Sequence, residues 1–281
     1  MKKRTVALVL AALLVAVSFT SCVSLKNPTQ GKKVAYIMYM APSQIFELWA
    51  DSFEQSAQKL GMSADTFFCN DSDEEWRSRI ELCAQEGYDG VVVSHGGETY
   101  SWSFLSDIIE RYPNFKIATF DTFFKDDEGN TRTIDGVIQF FQRDSGLAAV
   151  LVEEILSMYP EKTANKERVN ILKVQEEGYI AAFDRREVGY KLYETVGRIR
   201  TVETIAPSDH LDAVESIKEV AKDVLCKYED GEIDAIWCCY DAYAQGVYQA
   251  LKECGSSIPL VSVDISNIDI LSMQEGLNWK A

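Results

Sequence analysis

The sequence predicts an α/β protein with parallel sheets, divided into two lobes. Short, continuous runs of apolar residues alternate with amphipathic segments along most of the chain. Such alternation is typical of parallel strands that are covered by helices on both faces. The alternation occurs twice, with the change near residues 139–143, and about 260 residues follow the N-terminal signal described below. That length is enough for two medium-sized lobes with substantial cores.

The first series of elements begins with a strand-like run at 33–39 (KVAYIMY). The helix predicted at 43–60 has Phe46 among its regularly spaced apolar residues and stops at Gly61. The run GVVVS at 90–94 is too short and too rich in β-branched residues for a helix. By the same criteria we predict strands at 63–68, 115–120 and 136–142, helices at 73–86 and 102–111, and a turn at 125–130.

The second series repeats this pattern without repeating the sequence. We predict strands at 169–174, 200–205, 235–239 and 260–263, and helices at 145–159, 186–196, 211–228 and 243–254. Cys238 and Cys239 are adjacent on one predicted strand, so their side chains should point to opposite faces of the sheet.

The first 22 residues are typical of a bacterial export signal. A basic start at residues 2–4 precedes an uncharged run over residues 5–20. That run has about 16 residues, fewer than the ~20 of a membrane-spanning helix. Cys22 follows the predicted cleavage position, which predicts a signal peptide over 1–21, lipidation of Cys22 and a polar tether over 22–31. Phe19 stands where lipoprotein signals usually have Leu, so a plain secretory signal is the alternative.

Composition excludes several classes of function. The formal net charge of the whole chain is −16, and the signal carries three basic and no acidic residues, so the mature chain is near −19. Such a surface repels nucleic acid and anionic lipid headgroups, and it is compatible with a neutral or cationic small ligand. We therefore expect no nucleic-acid partner.

The cysteines and histidines predict neither a metal site nor a cofactor. The chain has seven Cys and two His, and no pair has the spacing of a zinc site. With only two histidines, the sequence offers little basis for His-dependent catalysis. No nucleophile elbow accompanies the HGG stretch at 95–97. We expect a non-enzymatic protein, with disulfide pairing left open.

Six segments, in order and at matching spacing over residues 33–281, resemble the type I periplasmic binding proteins of the ribose and galactose sort, which deliver sugars to ABC importers. The segments are YMAPSQIFELWADSFEQSAQKLG, IELCAQEGYDGVVVS, IATFD, QRDSGLAAVLVEEIL, FDRREVGYKL, and IWCCYDAYAQGVYQALKECG with IPLVSVDIS. The resemblance implies two Rossmann-like lobes with parallel sheets joined by a hinge, and a ligand held between the lobes.

The residues that would bind this ligand follow from matching the family motifs. They are Phe46, Asp121, Arg186, Tyr240, Asp241 and Asp264. These residues lie at or after the carboxyl ends of predicted strands, where open α/β sheets bind ligands. Carboxylates and Arg can form paired hydrogen bonds with neighbouring hydroxyls, and an aromatic face can pack on a sugar ring. Relatives commonly have Asn where this chain has Tyr240, so the identity of the sugar stays open.

Several aromatic residues have two interpretations. Trp49, Tyr100 and Trp102 are candidates for further stacking on the ligand, with core packing as the alternative. The HGG stretch is interpreted as a flexible loop at the rim of the cleft. Asp241 also fits a simple role as the cap of the following helix.

The expected domains are an N-terminal lobe, 32–140 plus 265–281, and a C-terminal lobe, 141–264. The family continues past the last residue of this chain, so we expect the first lobe to lack a strand and a helix. The resemblance implies a monomeric lipoprotein of the periplasm or cell surface that binds a monosaccharide for an ABC permease. A nucleoside-binding lipoprotein and a receptor presenting its ligand to a chemoreceptor or sensor kinase are the alternatives.

Overall fold

A computed structural model describes residues 27–122, 124–276 and 278–281. Its first sheet contains five parallel strands in the order β2-β1-β3-β4-β7. Their bounds are β1 Lys33–Met38, β2 Ser63–Phe68, β3 Gly90–Ser94, β4 Lys116–Phe120 and β7 Val137–Phe140. Its helices are α1 Gln44–Lys59, α2 Asp73–Gln85 and α3 Glu98–Arg111.

The second sheet contains four parallel strands in the order β11-β10-β8-β9. Their bounds are β8 Val169–Val174, β9 Ile199–Ile205, β10 Ala235–Cys238 and β11 Leu260–Ser262. The helices of this half are α4 Asp144–Met158, α5 Pro160–Ala164, α6 Ala181–Thr195, α7 Ala213–Leu225, α8 Asp241–Cys254 and α9 Asn267–Gln274. The predicted α/β class with two parallel sheets is confirmed.

A short antiparallel hairpin stands where only a turn is predicted. Its strands are β5 Phe124–Lys125 and β6 Thr131–Arg132. Asp126 stabilises the turn because one carboxylate oxygen accepts hydrogen bonds from the backbone N–H groups of Glu128 (3.0 Å) and Asn130 (2.9 Å). This carboxylate is therefore engaged within the hairpin.

Two helices begin earlier than the apolar periodicity predicts. α3 begins at Glu98 rather than 102, because the Tyr100 hydroxyl accepts the backbone N–H of Gly97 (3.2 Å) and satisfies the first turn. α6 begins at Ala181 rather than 186, and its buried first turn packs inside the second lobe.

The last residues of the chain belong to the second sheet. Trp279 forms a parallel bridge with Leu260 of β11, and the Ser262 N–H donates to the backbone oxygen of Ala281 (2.8 Å). Gln245 of α8 also donates to Asp269 of α9 (3.0 Å). The predicted assignment of 265–281 to the first lobe is therefore wrong for these residues. The pairing beside β11 buries Trp279 in the core of the second lobe, and these residues therefore pack with that lobe.

Two buried clusters form the core. The smaller one lies within the first lobe around Trp76, Ile80 and Leu105. The larger one fills the second lobe and continues into the first through Met38 and Phe46. Among the described residues, no helix is both long and apolar enough to cross a membrane. The predicted signal peptide, Cys22 and the first part of the tether lie outside the described residues.

Candidate functional site

The carboxyl ends of the two sheets face each other across a cleft. The hydroxyl of Tyr240, after β10, donates to Ser43 Oγ, after β1 (2.8 Å). The hydroxyl of Tyr179, after β8, donates to Asp71 Oδ1, after β2 (2.7 Å). These two bonds connect the loops of one lobe to the loops of the other. The cleft is thus closed, with side chains of both lobes in direct contact.

A cluster of buried charges forms the floor of this cleft. Arg185 bonds to Asp121 of the first lobe and, through Nε, to Asp144 Oδ2 at the start of α4 (2.8 Å). Arg186 donates from Nε to Asp144 Oδ1 (2.9 Å) and lies 3.2 Å from Asp264 Oδ2. Asp144 therefore holds both guanidinium groups, one on each carboxylate oxygen.

A close approach of two helices places these arginines. Gly189 of α6 lies one turn after Arg185, and it touches the first turn of α4. A Cβ added at Gly189 would lie 2.9 Å from the carbonyl carbon of Ser145 and 3.0 Å from its Cα, with the backbone oxygen nearer still. Because glycine has no Cβ, α6 packs directly on the backbone next to Asp144.

Aromatic rings cover the charged floor. Phe46 of α1 stacks on Tyr240 of the second lobe with ring centroids 5.9 Å apart and an interplanar angle of 20°. Phe46 also contacts Trp49 (5.4 Å) and His95 (5.7 Å). Apolar faces from both lobes thus meet beside the buried charges, an arrangement suited to a ring that has an apolar face and polar edges.

Burial shifts the pKa values of the acids in the cleft. Desolvation raises the pKa of Asp121 to about 6, although Arg185 opposes this shift. Desolvation also raises the pKa of Asp264 against the opposing effect of Arg186. For Asp241, desolvation together with the neighbouring Asp269 carboxyl raises the pKa to about 8. Burial and the neighbouring carboxyl thus favour the protonated form of Asp241, which can donate as well as accept.

His95 is a neutral group in this setting. Desolvation lowers its pKa to about 3, with smaller contributions from Arg186 and Arg185. Its Nδ1 lies 2.6 Å from Ser94 Oγ. A neutral imidazole stacked beside Trp49 (6.1 Å, 13°) acts here as a flat, polarisable surface.

Strained backbone is concentrated at the cleft. Among the described residues, six other than glycine have positive φ. Four of the six follow strands and face the cleft: Asp71, His95, Asp121 and Asp264, with φ of 60°, 59°, 52° and 69°. A left-handed conformation costs of order 1–3 kcal/mol per residue and is typical of functional sites. This concentration of left-handed residues indicates that the functional site lies at these strand ends.

Two cavities lie along the cleft, and Tyr179 lines both of them. One, of about 260 Å³, is bounded by Ser43, Phe46 and Asp71 from the first lobe and by His210, Tyr240 and Asp241 from the second. The other, of about 370 Å³, is bounded by residues that include His95, Tyr100, Asp121 and Asp184.

Four of the six predicted ligand residues line these cavities, and the other two belong to the buried charge cluster that includes Asp121. Phe46, Tyr240 and Asp241 line the smaller cavity, Asp121 lines the larger one, and Arg186 and Asp264 form a pair in the floor. The HGG loop and Tyr100 also line the larger cavity. Trp49 packs on Phe46, whereas Trp102 packs against the core of the first lobe, in agreement with its alternative interpretation.

Four cleft residues are absent from the prediction: Arg185, Asp144, Asp71 and Tyr179. The doubled arginine in FDRREVGYKL and the acid in QRDSGLAAV were signals for two of them. Nothing local in the sequence indicates that Asp71 and Tyr179, 108 residues apart, bond across the cleft. Within the described residues, no group of three or more His, Cys, Asp or Glu is placed to hold a metal ion.

Comparison with known proteins shows the fold. No protein-family model matches the sequence, and no curated protein matches it. The structure is similar to a sugar ABC transporter from Yersinia enterocolitica subsp. enterocolitica, with 28% identity, a TM-score of 0.75, and 86% of this chain and 69% of that chain covered.

Two further structures have the same fold at lower identity. One is a 5-methylthioribose transporter solute binding protein from Thermotoga lettingae in complex with 5-methylthioribose, with 17% identity, a TM-score of 0.71, and 85% of this chain and 70% of that chain covered. The other is a Caulobacter myo-inositol binding protein bound to myo-inositol, with 14% identity, a TM-score of 0.72, and 87% and 79% covered. The chain thus has the type I periplasmic binding protein fold.

Proposed function

We propose that this chain is the solute-binding component of an ABC importer and that its ligand is a monosaccharide or a similarly small polyhydroxylated molecule. The observation that carries the proposal is the interlobe cleft, where a buried Arg–Asp floor lies beside stacked aromatic rings. Its smaller cavity, about 260 Å³, lies just below the roughly 300–1,000 Å³ usual for small-molecule pockets. That size favours one sugar ring over an oligosaccharide.

The floor has the chemistry to recognise vicinal hydroxyls. The planar guanidinium of Arg186 presents parallel N–H donors, and the carboxylates of Asp121 and Asp264 present acceptors nearby. Phe46 and Tyr240 supply the apolar faces. No covalent step is proposed, so the protein acts by binding alone, with the lobes closing on the ligand by a hinge motion.

Isothermal titration calorimetry tests the ligand class. We propose titrating unfolded-and-refolded protein, free of carried-over ligand, with a panel of monosaccharides, myo-inositol and purine nucleosides. Saturable heat with one sugar or cyclic polyol supports the proposal. Binding of a nucleoside alone would favour the nucleoside-binding alternative, and no heat from any polyol with folded protein would refute the sugar assignment.

Arg186→Lys tests the proposed recognition. Lys keeps the charge but loses the paired donors, so we expect a loss of about 10–100-fold in affinity, since hydrogen bonds to charged groups contribute roughly 1.5–3 kcal/mol. Arg200→Lys is the matched control, because Arg200 is an exposed residue of β9 bonded to Asn170 (3.1 Å). Equal affinity for Arg186→Lys and the control would remove Arg186 from the binding site.

We propose that the export signal directs the protein outside the cytoplasm and that a lipid on Cys22 tethers it to a membrane. A monomer so tethered would keep its cleft near the permease. Palmitate labelling of wild type against Cys22→Ser tests the anchor, and labelling of both or of neither would refute it. Loss of sugar uptake on deletion of the gene would support transport, whereas unchanged uptake with loss of a sugar response would favour the sensory role.

A further inference from the structure

Two helices of the second lobe, α7 and α8, pack side by side in the same direction. Gly246 of α8 has no Cβ, and it sits against the backbone of Val214 and the side chain of Ile217. Further along, Glu253 of α8 forms an ion pair with Lys222 of α7 (2.9 Å). The two helices therefore stay in contact up to their C-terminal ends.

Each of these helices ends in a cysteine. Cys226 caps α7 one turn after Lys222, and Cys254 is the last residue of α8, next to Glu253. The Lys222–Glu253 pair thus brings the two cysteines to the same end of the helix pair. Burial raises the pKa of the Cys254 thiol, and the nearby Cys226 thiol raises it further, in agreement with their proximity.

These two cysteines differ from the others that the structure describes. Cys226 and Cys254 are exposed, whereas the remaining four described cysteines are buried: Cys69, Cys83, Cys238 and Cys239. Exposed thiols that lie side by side are the ones an external disulfide donor can reach. Exported proteins meet such donors, whereas cytosolic proteins are kept reduced.

We propose that Cys226 and Cys254 form a disulfide that joins the C-terminal ends of α7 and α8 in the exported protein. The oxidant is the disulfide of an extracytoplasmic thiol–disulfide donor protein. One cysteine thiolate attacks a donor sulfur to give a mixed disulfide, and the second thiolate then displaces the donor. The donor leaves with two thiols, so it accepts the two electrons and the protons that the cysteines lose.

The bond would stiffen the second lobe without touching the cleft. It would close the loop between residues 226 and 254, which contains β10 and α8. Cross-linking such a loop restricts the unfolded chain, and we expect oxidation to raise the melting midpoint by about 5–10 °C. The proposal rests on export and not on the identity of the ligand, so ligand binding by the reduced protein is measured separately.

Alkylation and peptide mapping test the bond. Cells exporting the full chain are lysed in an alkylating reagent, and the protein is digested and mapped without reductant. We expect a linked pair of peptides containing Cys226 and Cys254, about 2 Da lighter than the two reduced peptides together. The buried cysteines serve as internal controls, since they should be alkylated only once the protein is denatured.

Variants make the outcome decisive. Reduction should lower the melting midpoint of wild type but not of Cys226→Ser/Cys254→Ser. Purified, reduced wild type exposed to oxidised glutathione should form the same linked peptide, which tests the geometry independently of export. Full alkylation of both thiols in the exported protein, or linkage of either to another cysteine or another chain, would overturn the proposal.

Discussion

The contact at Gly189 gives the sharpest test of how the cleft is built. Replacing Gly189 by Ala would place a methyl group 2.9–3.0 Å from two backbone carbons of Ser145, where ordinary contacts are about 3.5–4.0 Å. The obstacle is the backbone of α4, which cannot rotate away as a side chain could. The helices must therefore separate by several tenths of an ångström or more.

The expected change in the free energy of unfolding is the difference between two opposing effects. Overpacking of this kind costs roughly 1–3 kcal/mol, and a rigid backbone obstacle puts Gly189→Ala near the upper value. The better helix propensity of Ala returns about 1 kcal/mol. We expect a net loss of about 2 kcal/mol, which lowers the melting midpoint by about 4–8 °C in a domain of this size.

A second helical glycine supplies the matched control. Gly146 of α4 is exposed, and the nearest atom to an added Cβ is 4.0 Å away, on Arg143. Gly146→Ala should therefore leave the midpoint unchanged or raise it slightly. Thermal unfolding followed by circular dichroism at pH 7 compares both variants with wild type. A Gly189→Ala midpoint equal to or above that of Gly146→Ala would refute the close-packing argument.

Two further predictions concern the cleft. Asp121 has a folded pKa of about 6 against 3.8 unfolded, so its ionisation destabilises the folded state by about 2 kcal/mol as pH rises from 4 to 7. Urea unfolding should show that Asp121→Asn removes this decrease, and an unchanged pH dependence would contradict the burial argument. Tyr179→Phe loses the bond to Asp71, so we expect about a fivefold shift towards the open form, for a bond of about 1 kcal/mol. Small-angle scattering should then give a larger radius of gyration, unlike Tyr159→Phe, whose hydroxyl bonds within the second lobe to Asp234; equal radii would be the contrary result.

The sequence predicted buried strands best. The strands at 90–94 and 169–174 match the structure at both ends, because short β-branched runs covered on both faces leave little choice of register. The strand at 63–68 also matches, although it is a half-buried strand at the edge of its sheet. Helix starts were predicted less well, since the first turns of α3 and α6 are fixed by capping and by burial in three dimensions rather than by periodicity.

The cleft could be predicted only in part, because many of the bonds that assemble it join residues far apart in the sequence. Residues directly after strands, such as Asp121 and Asp264, could be placed from topology alone. The partners that hold them could not, because the bonds of Arg185 to Asp121 and of Tyr240 to Ser43 span 64 and 197 residues. Gly189 belongs to a family motif, but the need for a glycine there is seen only in the structure, where the backbone of Ser145 leaves no room for a Cβ.

The bonds that join the two lobes across the cleft also bear on how the protein would select the proposed ligand. Because Arg185 and Arg186 already bond to Asp121, Asp144 and Asp264, the proposed ligand would enter by exchange, and its hydroxyls would take over bonds that the protein makes to itself. The correct ligand thus gains only a modest surplus. An incorrect one would leave a buried charged group without a partner, which costs more than the roughly 1–3 kcal/mol of an unsatisfied neutral group. Selectivity in such a cleft arises mainly from the penalty against misfits.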